Sequence, residues 1–344
     1  MPMISVDEAR NYTLSRIDPL PAEEVELLDA LDRVLAEDVV AEIDIPPFSN
    51  SAMDGYAVRA GDTAGASSDA PVVLRVIEEV AAGAAPTTEL GPGTAARIMT
   101  GAPIPRGADA VVKVEDTSEE RGAPHNSTVR VHRGVSPGEN VRPAGEDVQR
   151  GQRVLAAGRL LRPQEIGVLA SLGRPSVRVH RRPRVGLLAT GNHVDEGGRS
   201  DNAPDVNTYT LAALVRRYGG DPVRLDVTRD AESLAEKIQA GLEQQSDLLL
   251  TSAGDFEMVK DMLPSESETN SWQVALRPVR TLVFGQIAGV PALGVPGDPV
   301  AASVAFEVFV RPILRRMAGW TRWEKPRIRA TLREDVATSP ETAF

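Results

Sequence analysis

The sequence predicts a multi-domain α/β protein, in which a doubly wound domain with a mostly parallel sheet accompanies an inserted β-rich domain. Apolar strands alternate with helices through residues 183–318, which is the pattern of βαβ units. Residues 46–149 instead contain short apolar runs between Gly, Pro and Asp turns, as a mainly β domain does. With 344 residues, the chain is also too long for one ordinary hydrophobic core.

The alternating region defines the doubly wound domain. The predicted strands are 185–191, 223–227, 248–252 and 290–294, and the predicted helices are 207–218, 231–242 and 300–317. A parallel sheet covered by helices on both faces binds its ligands beyond the carboxyl ends of the strands. We expect those ends at Thr190-Gly191, Ser252-Ala253-Gly254 and Pro296-Gly297-Asp298.

The rest of the chain is predicted in shorter pieces. The β-rich region contains predicted strands at 56–58, 72–76, 95–99, 110–114 and 128–131, and a hairpin loop at 117–127. Residues 5–17 predict a helix capped by Ser5 or Asp7, and 21–39 predict either a helix or a short strand–helix pair. Two prolines indicate that 45–51 form a rigid loop rather than regular structure. Residues 327–332 have the pattern of one strand, and 335–344 predict disorder.

Composition excludes several classes of protein. The net charge of −11 disfavours a general nucleic-acid binder, although a local arginine cluster can still hold an anionic small molecule. The absence of cysteine excludes disulfides, a thiolate nucleophile and cysteine-based metal sites. The four histidines are scattered without metal-ligand spacing. No apolar run approaches about 20 residues and 1–16 lack an apolar signal core, so we expect a cytoplasmic protein with no membrane partner.

Three polar segments carry candidate chemistry. Residues 47–58 (PFSNSAMDGYAV) place Ser, Asn and Asp side chains on a proline-stiffened loop, although a structural turn capped by Asp54 is an equally good interpretation. Residues 99–105 (MTGAPIP) form the second segment, which 107–112 (GADAVV) follow. Residues 138–147 (GENVRPAGED) carry carboxylates and an arginine on a Gly/Pro loop, where a cation or an anion could be held. Taken singly, such segments are common in surface turns.

Together, these segments resemble the MoeA family, the molybdopterin molybdenumtransferases, which includes the E domain of gephyrin. The resemblance extends over residues 4–319, with the segments in family order. It implies insertion of molybdate into adenylylated molybdopterin with release of AMP, supported by Mg²⁺. It also implies an elongated homodimer, whose cleft lies between the α/β domain of one chain and the β-rich domain of the other. Other cofactor-biosynthesis proteins are implied as further partners.

The resemblance also implies roles for individual residues. The implied catalytic residues are Asp54, Thr100, Arg142 and Asp147. The implied substrate-binding residues are Ser49, Ser51, Asp205, Asn207, Ser252, Gly254, Asp255, Arg277, Arg280, Pro296 and Gly297. The implied metal ligands are Asp54, Asp147 and Asp255.

The sequence departs from the family pattern on the α/β side. Asn192-His193 replaces an Asp-Glu pair, and the Gly-rich loop at 252–255 is roughly four residues short. Residues 277–281 read Arg-Pro-Val-Arg-Thr where the family has Lys/Arg-Pro-Gly-Lys-Pro, and Asp298 replaces an Asn. Sequence drift in loops that tolerate substitution, a catalytically impaired paralogue, or loop residues missing from the recorded sequence would each explain these departures.

Three functions are therefore weighed. Molybdenum insertion leads, and the alternative is an impaired paralogue that acts as a molybdopterin-binding or scaffold protein. A nucleotide-dependent oxidoreductase is disfavoured, because no Gly-x-Gly-x-x-Gly follows any predicted strand. The predicted domains are 1–45 with 150–182, 46–149, 183–318 and 319–344. The last of these resembles a remnant of the family's C-terminal β domain.

Overall fold

The computed structural model describes residues 3–118, 128–190, 206–228, 231–253, 270–326, 328–331 and 333–334. The chain forms two compact units. The first contains residues 1–37 and 156–344, and the second contains residues 38–155. We call them the discontinuous unit and the inserted unit. The finer division into four domains stays a prediction.

The described elements are as follows in chain order. The helices are α1 (Val6–Leu14), α2 (Pro163–Ser171), α3 (Val206–Arg217), α4 (Ala231–Glu243), α5 (Pro299–Ala305) and α6 (Arg311–Met317). The strands are β1 (Met3–Ile4), β2 (Ala22–Glu26), β3 (Val39–Val40), β4 (Asn50–Ser51), β5 (Gly55–Val58), β6 (Val72–Val80), β7 (Thr94–Ile98), β8 (Ala110–Lys113), β9 (Thr128–Val131), β10 (Val141–Arg142), β11 (Arg153–Leu155), β12 (Ser176–His180), β13 (Arg184–Thr190), β14 (Asp221–Thr228), β15 (Leu248–Ala253), β16 (Asn270–Val274), β17 (Thr281–Ile287) and β18 (Val290–Pro296).

A mixed sheet lies at the centre of the discontinuous unit. Within the described residues its order is β1-β16-β17-β18-β15-β13-β14. The neighbours β14, β13, β15 and β18 are parallel, β1 is parallel to β16, and β17 is antiparallel to both of its neighbours. The mostly parallel sheet is as predicted. The β16–β17 hairpin and the two-residue edge strand β1 were not predicted, because neither has a strong apolar alternation.

Helices cover both faces of this sheet. Side chains alternate between the faces along a strand, and on β13 Leu187 and Leu188 belong to different cores. Leu187 packs in a cluster with Leu211 of α3 and with α1, α5 and α6, whereas Leu188 packs with Leu234 of α4. The doubly wound arrangement therefore follows from apolar residues on both sides of the same strand.

The long helix predicted at 300–317 is interrupted. It begins at α5, passes through a π-helical turn at Phe306–Val310 and ends with α6. Pro312 has no N–H to donate to the carbonyl group of Val308, so the regular α-helical ladder cannot continue through this point. The two outer predictions, a start near 300 and an end at Met317, agree with the structure.

Residues 21–39 do not form the single helix that was one of the two predictions for this segment. Strand β2 pairs antiparallel with β12, and a short 3₁₀ turn at Leu28–Ala30 follows it. The all-helix alternative for 21–39 is therefore wrong, because the pairing with β12 takes precedence over the local apolar spacing. In contrast, α1 begins at the predicted cap, where Ser5 and Glu8 form a reciprocal capping box.

The inserted unit contains a five-stranded sheet in the order β8-β5-β7-β6-β9. All five strands lie where the apolar runs predicted them. Strand β5 begins at Gly55, where a Cβ atom would lie 1.9 Å from the carbonyl oxygen of Val112. Only glycine fits this close approach of β5 to β8. Strands β3 and β11 pair antiparallel and bring the two ends of the unit together.

Two loop predictions need correction. The segment 45–51 ends in regular structure, since Asn50 and Ser51 form β4 and pair with β10. The pairing uses residues that follow the two prolines, so it does not conflict with their missing donors. Residues 328–331 form no strand, against the pattern of 327–332. The predicted loop tip at 119–127 and the predicted disordered tail at 335–344 lie outside the described residues.

Candidate functional site

The strand ends of the discontinuous unit meet at the side chain of Asn207, in the first turn of α3. Its Nδ2 donates to Ser252 Oγ at 2.6 Å and to the backbone oxygen of Gly297 at 2.6 Å. Asn207 and Ser252 are both buried. One amide therefore ties the start of α3 to the carboxyl ends of β15 and β18. We call these three residues the strand-end cluster.

Two buried oxygens at this edge lack partners. Asn207 Oδ1 accepts no hydrogen bond from the described residues, and Thr190 Oγ1 forms none with them. Leaving a buried polar atom unpaired costs about 1–3 kcal/mol, so such atoms are rare unless something binds there. Thr190 is the last residue of β13, which pairs with β15. The first turn of α3, which holds Asn207, lies at the same edge.

The two predicted arginines follow β16. Strands β16 and β18 are both antiparallel to β17, so they run in the same direction and end at the same edge of the sheet. The backbone N–H of Val274 donates to the carbonyl oxygen of Arg280 at 3.0 Å, which closes the loop there. Arg277 is half-buried and Arg280 is exposed. Both arginines therefore lie at the edge that carries Pro296 and Gly297.

Three loops of the inserted unit converge on Ser51. Its backbone N–H donates to the carbonyl oxygen of Ala102 at 3.0 Å, and its own carbonyl accepts from Gly101 at 2.8 Å. Ser51 also pairs with Val141 in the β4–β10 ladder. Ser49 Oγ accepts a hydrogen bond from the N–H of Ala144 at 3.3 Å. The three polar segments that the sequence singled out are thus assembled into one surface of this unit.

Asp54 and Thr100 form a specific pair on that surface. Asp54 Oδ1 accepts from the backbone N–H of Thr100 at 2.8 Å and from its hydroxyl at 2.7 Å. Because both donors reach the same oxygen, the carboxylate is fixed in one orientation. Asp54 thus joins the first and the second polar segments, which a simple cap within its own turn would not do.

Arg142 lies between two carboxylates of the third segment. Its Nε donates to Glu146 at 2.8 Å and its Nη2 donates to Asp147 at 3.0 Å. The hydrogen bond with Glu146, followed by the charges of Asp147 and Glu146, raises the pKa of the Arg142 guanidinium. All three side chains are about half exposed. The triad presents one more negative than positive charge to solvent.

The predicted metal ligands Asp54 and Asp147 do not form a metal site made by protein side chains alone. No group of three or more metal-ligating side chains comes together within the described part of the chain. Asp54 is bonded to Thr100, and Asp147 is paired with Arg142. A magnesium ion usually takes only one or two protein carboxylates and completes its shell with substrate phosphates and water. These two carboxylates are compatible with that second arrangement.

The site residues that the resemblance implied leave out two polar side chains at this surface. Glu146 binds Arg142 as closely as Asp147 does. Asn50 is buried on β4, and its Oδ1 has no partner among the described residues. Glu146 lies four residues after Arg142, so the sequence offered that signal, whereas the proximity of Asn50 to Arg142 depends on the fold. Asn50 pairs with Arg142 in the β4–β10 ladder.

Some predicted residues are not described by the structure. These are Asp205, Gly254 and Asp255, together with the departures Asn192 and His193. Their implied roles stay predictions.

Two family models match successive parts of the chain. Residues 4–173 match the family model described as "MoeA N-terminal region (domain I and II)", and residues 186–316 match "Probable molybdopterin binding domain". The chain belongs to the MoeA family. A molybdopterin molybdenumtransferase of Haemophilus influenzae is 34% identical over 333 residues, which cover 94% of this chain and 80% of that protein.

Further relatives support the same family assignment. Molybdopterin molybdenumtransferase 2 of Mycobacterium tuberculosis is 37% identical over 351 residues, which cover 98% of this chain and 85% of that protein. The crystal structure of a molybdopterin biosynthesis MoeA protein from Pyrococcus horikoshii OT3 matches with a TM-score of 0.77 and 34% identity. That match covers 94% of this chain and 81% of the other. Among the described helices, none has the length and apolar character needed to cross a membrane.

Proposed function

We propose that this chain is a molybdopterin molybdenumtransferase, which inserts molybdate into adenylylated molybdopterin and releases AMP. The observation that carries the proposal is the strand-end cluster, where Asn207 joins Ser252 and Gly297 and keeps an unpaired buried oxygen at the edge where such sheets bind ligands. The family relationship supports the reaction, since curated relatives whose length the match covers to 80% and 85% bear this name.

The chemistry of each side chain suggests its role in the proposed reaction. The unpaired Asn207 Oδ1 accepts from a donor on the pterin, while the N-terminus of α3 and the arginines at 277 and 280 hold the phosphates. Asp54, which Thr100 fixes in one orientation, supplies a preorganised carboxylate to the metal-insertion step. These roles are part of the proposal.

The scaffold alternative is less favoured. The departures at 192–193 and 252–255 motivated it, but Ser252 still bonds to Asn207 and Thr100 still bonds to Asp54 in the described part of the chain. Relatives at 34–37% identity are named as transferases. We therefore retain enzyme activity as the function.

The decisive experiment supplies purified protein with adenylylated molybdopterin, magnesium and molybdate, and follows release of AMP and formation of active cofactor. We expect Asp54→Asn to lower kcat by about 100-fold or more, because it removes the charge and keeps the shape and the acceptor oxygen. Asp62→Asn is the matched control, since Asp62 Oδ2 accepts a hydrogen bond from the backbone N–H of Gly93 elsewhere in the same unit. Binding of the substrate without any turnover in the parent protein would sink the transferase proposal and favour the scaffold.

We further propose a cytoplasmic homodimer that uses magnesium. Magnesium would screen the phosphate charge of the substrate, and the ion would be bound by both the phosphates and the carboxylates of Asp54 and Asp147. The family resemblance supports a composite site, in which the inserted unit of one chain serves the discontinuous unit of its partner.

A mixing experiment tests the composite site. Asp54→Asn alters the inserted unit and Asn207→Ala alters the discontinuous unit, so neither homodimer turns over. Exchange of subunits would give about half heterodimers, each with one intact site, and about a quarter of parental activity. If the mixture stays as inactive as either variant alone while size-exclusion shows exchange, each chain holds its own site and the composite arrangement is wrong.

A further inference from the structure

A cavity of about 440 Å³ lies at the amino edge of the central sheet, away from the strand-end cluster. Arg182 precedes β13, and Arg216 and Arg217 end α3, so these side chains lie where the parallel strands begin. The remaining arginines of the lining are Arg33 and Arg315. We call this cavity the arginine pocket.

The arginine pocket concentrates positive charge on an acidic protein. Five arginines line it, and Asp32 is the one carboxylate among its lining residues, although the chain as a whole carries a net charge of −11. Arg182, Arg216 and Arg217 form no ion pair within the described part of the chain. Their charge is therefore available to a ligand.

Arg33 adds a buried and incompletely bonded guanidinium. The residue is 9% exposed. Its Nη2 pairs with Glu23 and donates to the backbone oxygen of His180 at 2.8 Å. Its Nε is buried and has no hydrogen-bond partner among the described residues. The described residues therefore do not satisfy every donor of the Arg33 guanidinium, which lines the cavity.

Arg315 is held in place by aromatic rings. Its guanidinium lies 4.5 Å from the centre of the Trp320 ring and 5.9 Å from that of Tyr218, and both rings line the pocket. Burial, and then the neighbouring charge of Arg311, lower the pKa of Arg315. A positive group in such surroundings is stabilised by an incoming anion.

Helix electrostatics explain part of the cluster. Arg216 and Arg217 occupy the last turn of α3, where positive side chains offset the negative end of the helix dipole. The same explanation covers Arg315, in the last turn of α6, but it does not extend to Arg182 or Arg33, which come from two other parts of the chain. Their convergence on one cavity with two aromatic rings is the feature that needs a ligand.

We propose that the arginine pocket binds the phosphate or diphosphate group of a small anionic molecule, at a site separate from the strand-end cluster. Guanidinium groups pair bidentately with phosphate oxygens, and several of them around one cavity suit a multiply charged group. The site is independent of the proposed transferase reaction.

Calorimetric titration with inorganic pyrophosphate tests the proposal. The test variant is Arg182→Gln with Arg217→Gln, since neither side chain has a described ion pair to lose. The matched control is Arg75→Gln with Arg130→Gln, which removes the same charge from exposed strand positions of the inserted unit. Test and control are both built in an Arg277→Gln, Arg280→Gln background, so that pyrophosphate held by the arginines proposed at the strand-end edge does not contribute. Melting temperatures verify that all three variants fold.

We expect saturable binding that, relative to this background, weakens at least about tenfold in the test variant and less than about twofold in the matched control. Titration should also change the emission of Trp320, and Trp320→Phe should remove that change. Equal weakening in the test variant and the matched control would overturn the proposal. So would the absence of saturable binding up to about 10 mM pyrophosphate.

Discussion

At the scale of single residues, Glu165 shows how one carboxylate organises its surroundings. It is 4% exposed, and it accepts hydrogen bonds from Arg162 and Arg159 at 2.7 Å each. The bond from Arg162 is the largest influence, and it outweighs burial and lowers the pKa of Glu165 to about 2. Glu165 also accepts from the backbone N–H of Arg162 at the start of α2.

This pKa gives a stability prediction with a defined sign. The carboxylate is more acidic in the folded chain than its ordinary value of 4.5, so its contribution is complete above about pH 4.5 and disappears as the pH falls towards about 2. We expect Glu165→Gln to lower the free energy of unfolding by about 1–2 kcal/mol at pH 7, since the two arginines are half exposed and screened by solvent. Thermal melts of both proteins at pH 7, 4 and 3 measure the difference.

The difference between the two proteins should shrink steadily below pH 4.5. Glu146→Gln is a suitable control, because that carboxylate is half exposed and bound to Arg142 on the surface. A difference in unfolding free energy that stays constant from pH 7 to pH 3 would show that Glu165 acts through packing rather than through its charge.

At the scale of elements, α5 explains one departure from the family pattern. Asp298 stands at the N-cap position, and its side chain accepts from the N–H of Ala301 at 2.8 Å, while Pro299 occupies the first turn. Aspartate and asparagine are about equally good at this position. The change from Asn to Asp therefore preserves the cap of the helix that leaves the candidate site.

Two substitutions separate capping from other roles of Asp298. Asp298→Asn should change the free energy of unfolding by only a few tenths of a kcal/mol, whereas Asp298→Ala should lower it by about 1 kcal/mol. Denaturant unfolding of the three proteins gives the comparison. Equal losses in both variants would mean that charge, not the cap, stabilises this turn.

The same elements show what the sequence could predict. The strands at 185–191 and 248–252 were predictable, because continuous apolar runs between turns are typical of strands buried on both faces. Strand β1 was not, because two residues carry no pattern and only pairing with β16 defines them. In the candidate site, the sequence identified Asp54 as a candidate residue. Its hydrogen bond to Thr100 could not be predicted, because the two residues are 46 positions apart and only the fold brings them together.

At the scale of the whole molecule, the chain is a discontinuous unit interrupted by a compact insertion. Residues 38–155 have hydrophobic clusters of their own, built around Tyr56 and Leu74 in one and Ile98 and Val111 in the other. The antiparallel pair of β3 and β11 brings the entering and leaving segments side by side. A segment with its own core and adjacent ends has what independent folding requires.

We therefore predict that a fragment of residues 38–155 folds on its own. Circular dichroism should show β structure, and heating should give one cooperative transition, because the clusters of the five-stranded sheet lie entirely inside the fragment. Gly55→Ala is the internal control, since its Cβ would collide with the carbonyl oxygen of Val112 and should destabilise the fragment by about 3 kcal/mol or more. A fragment without a cooperative transition, or one that is indifferent to Gly55→Ala, would show that this sheet needs the rest of the chain to form.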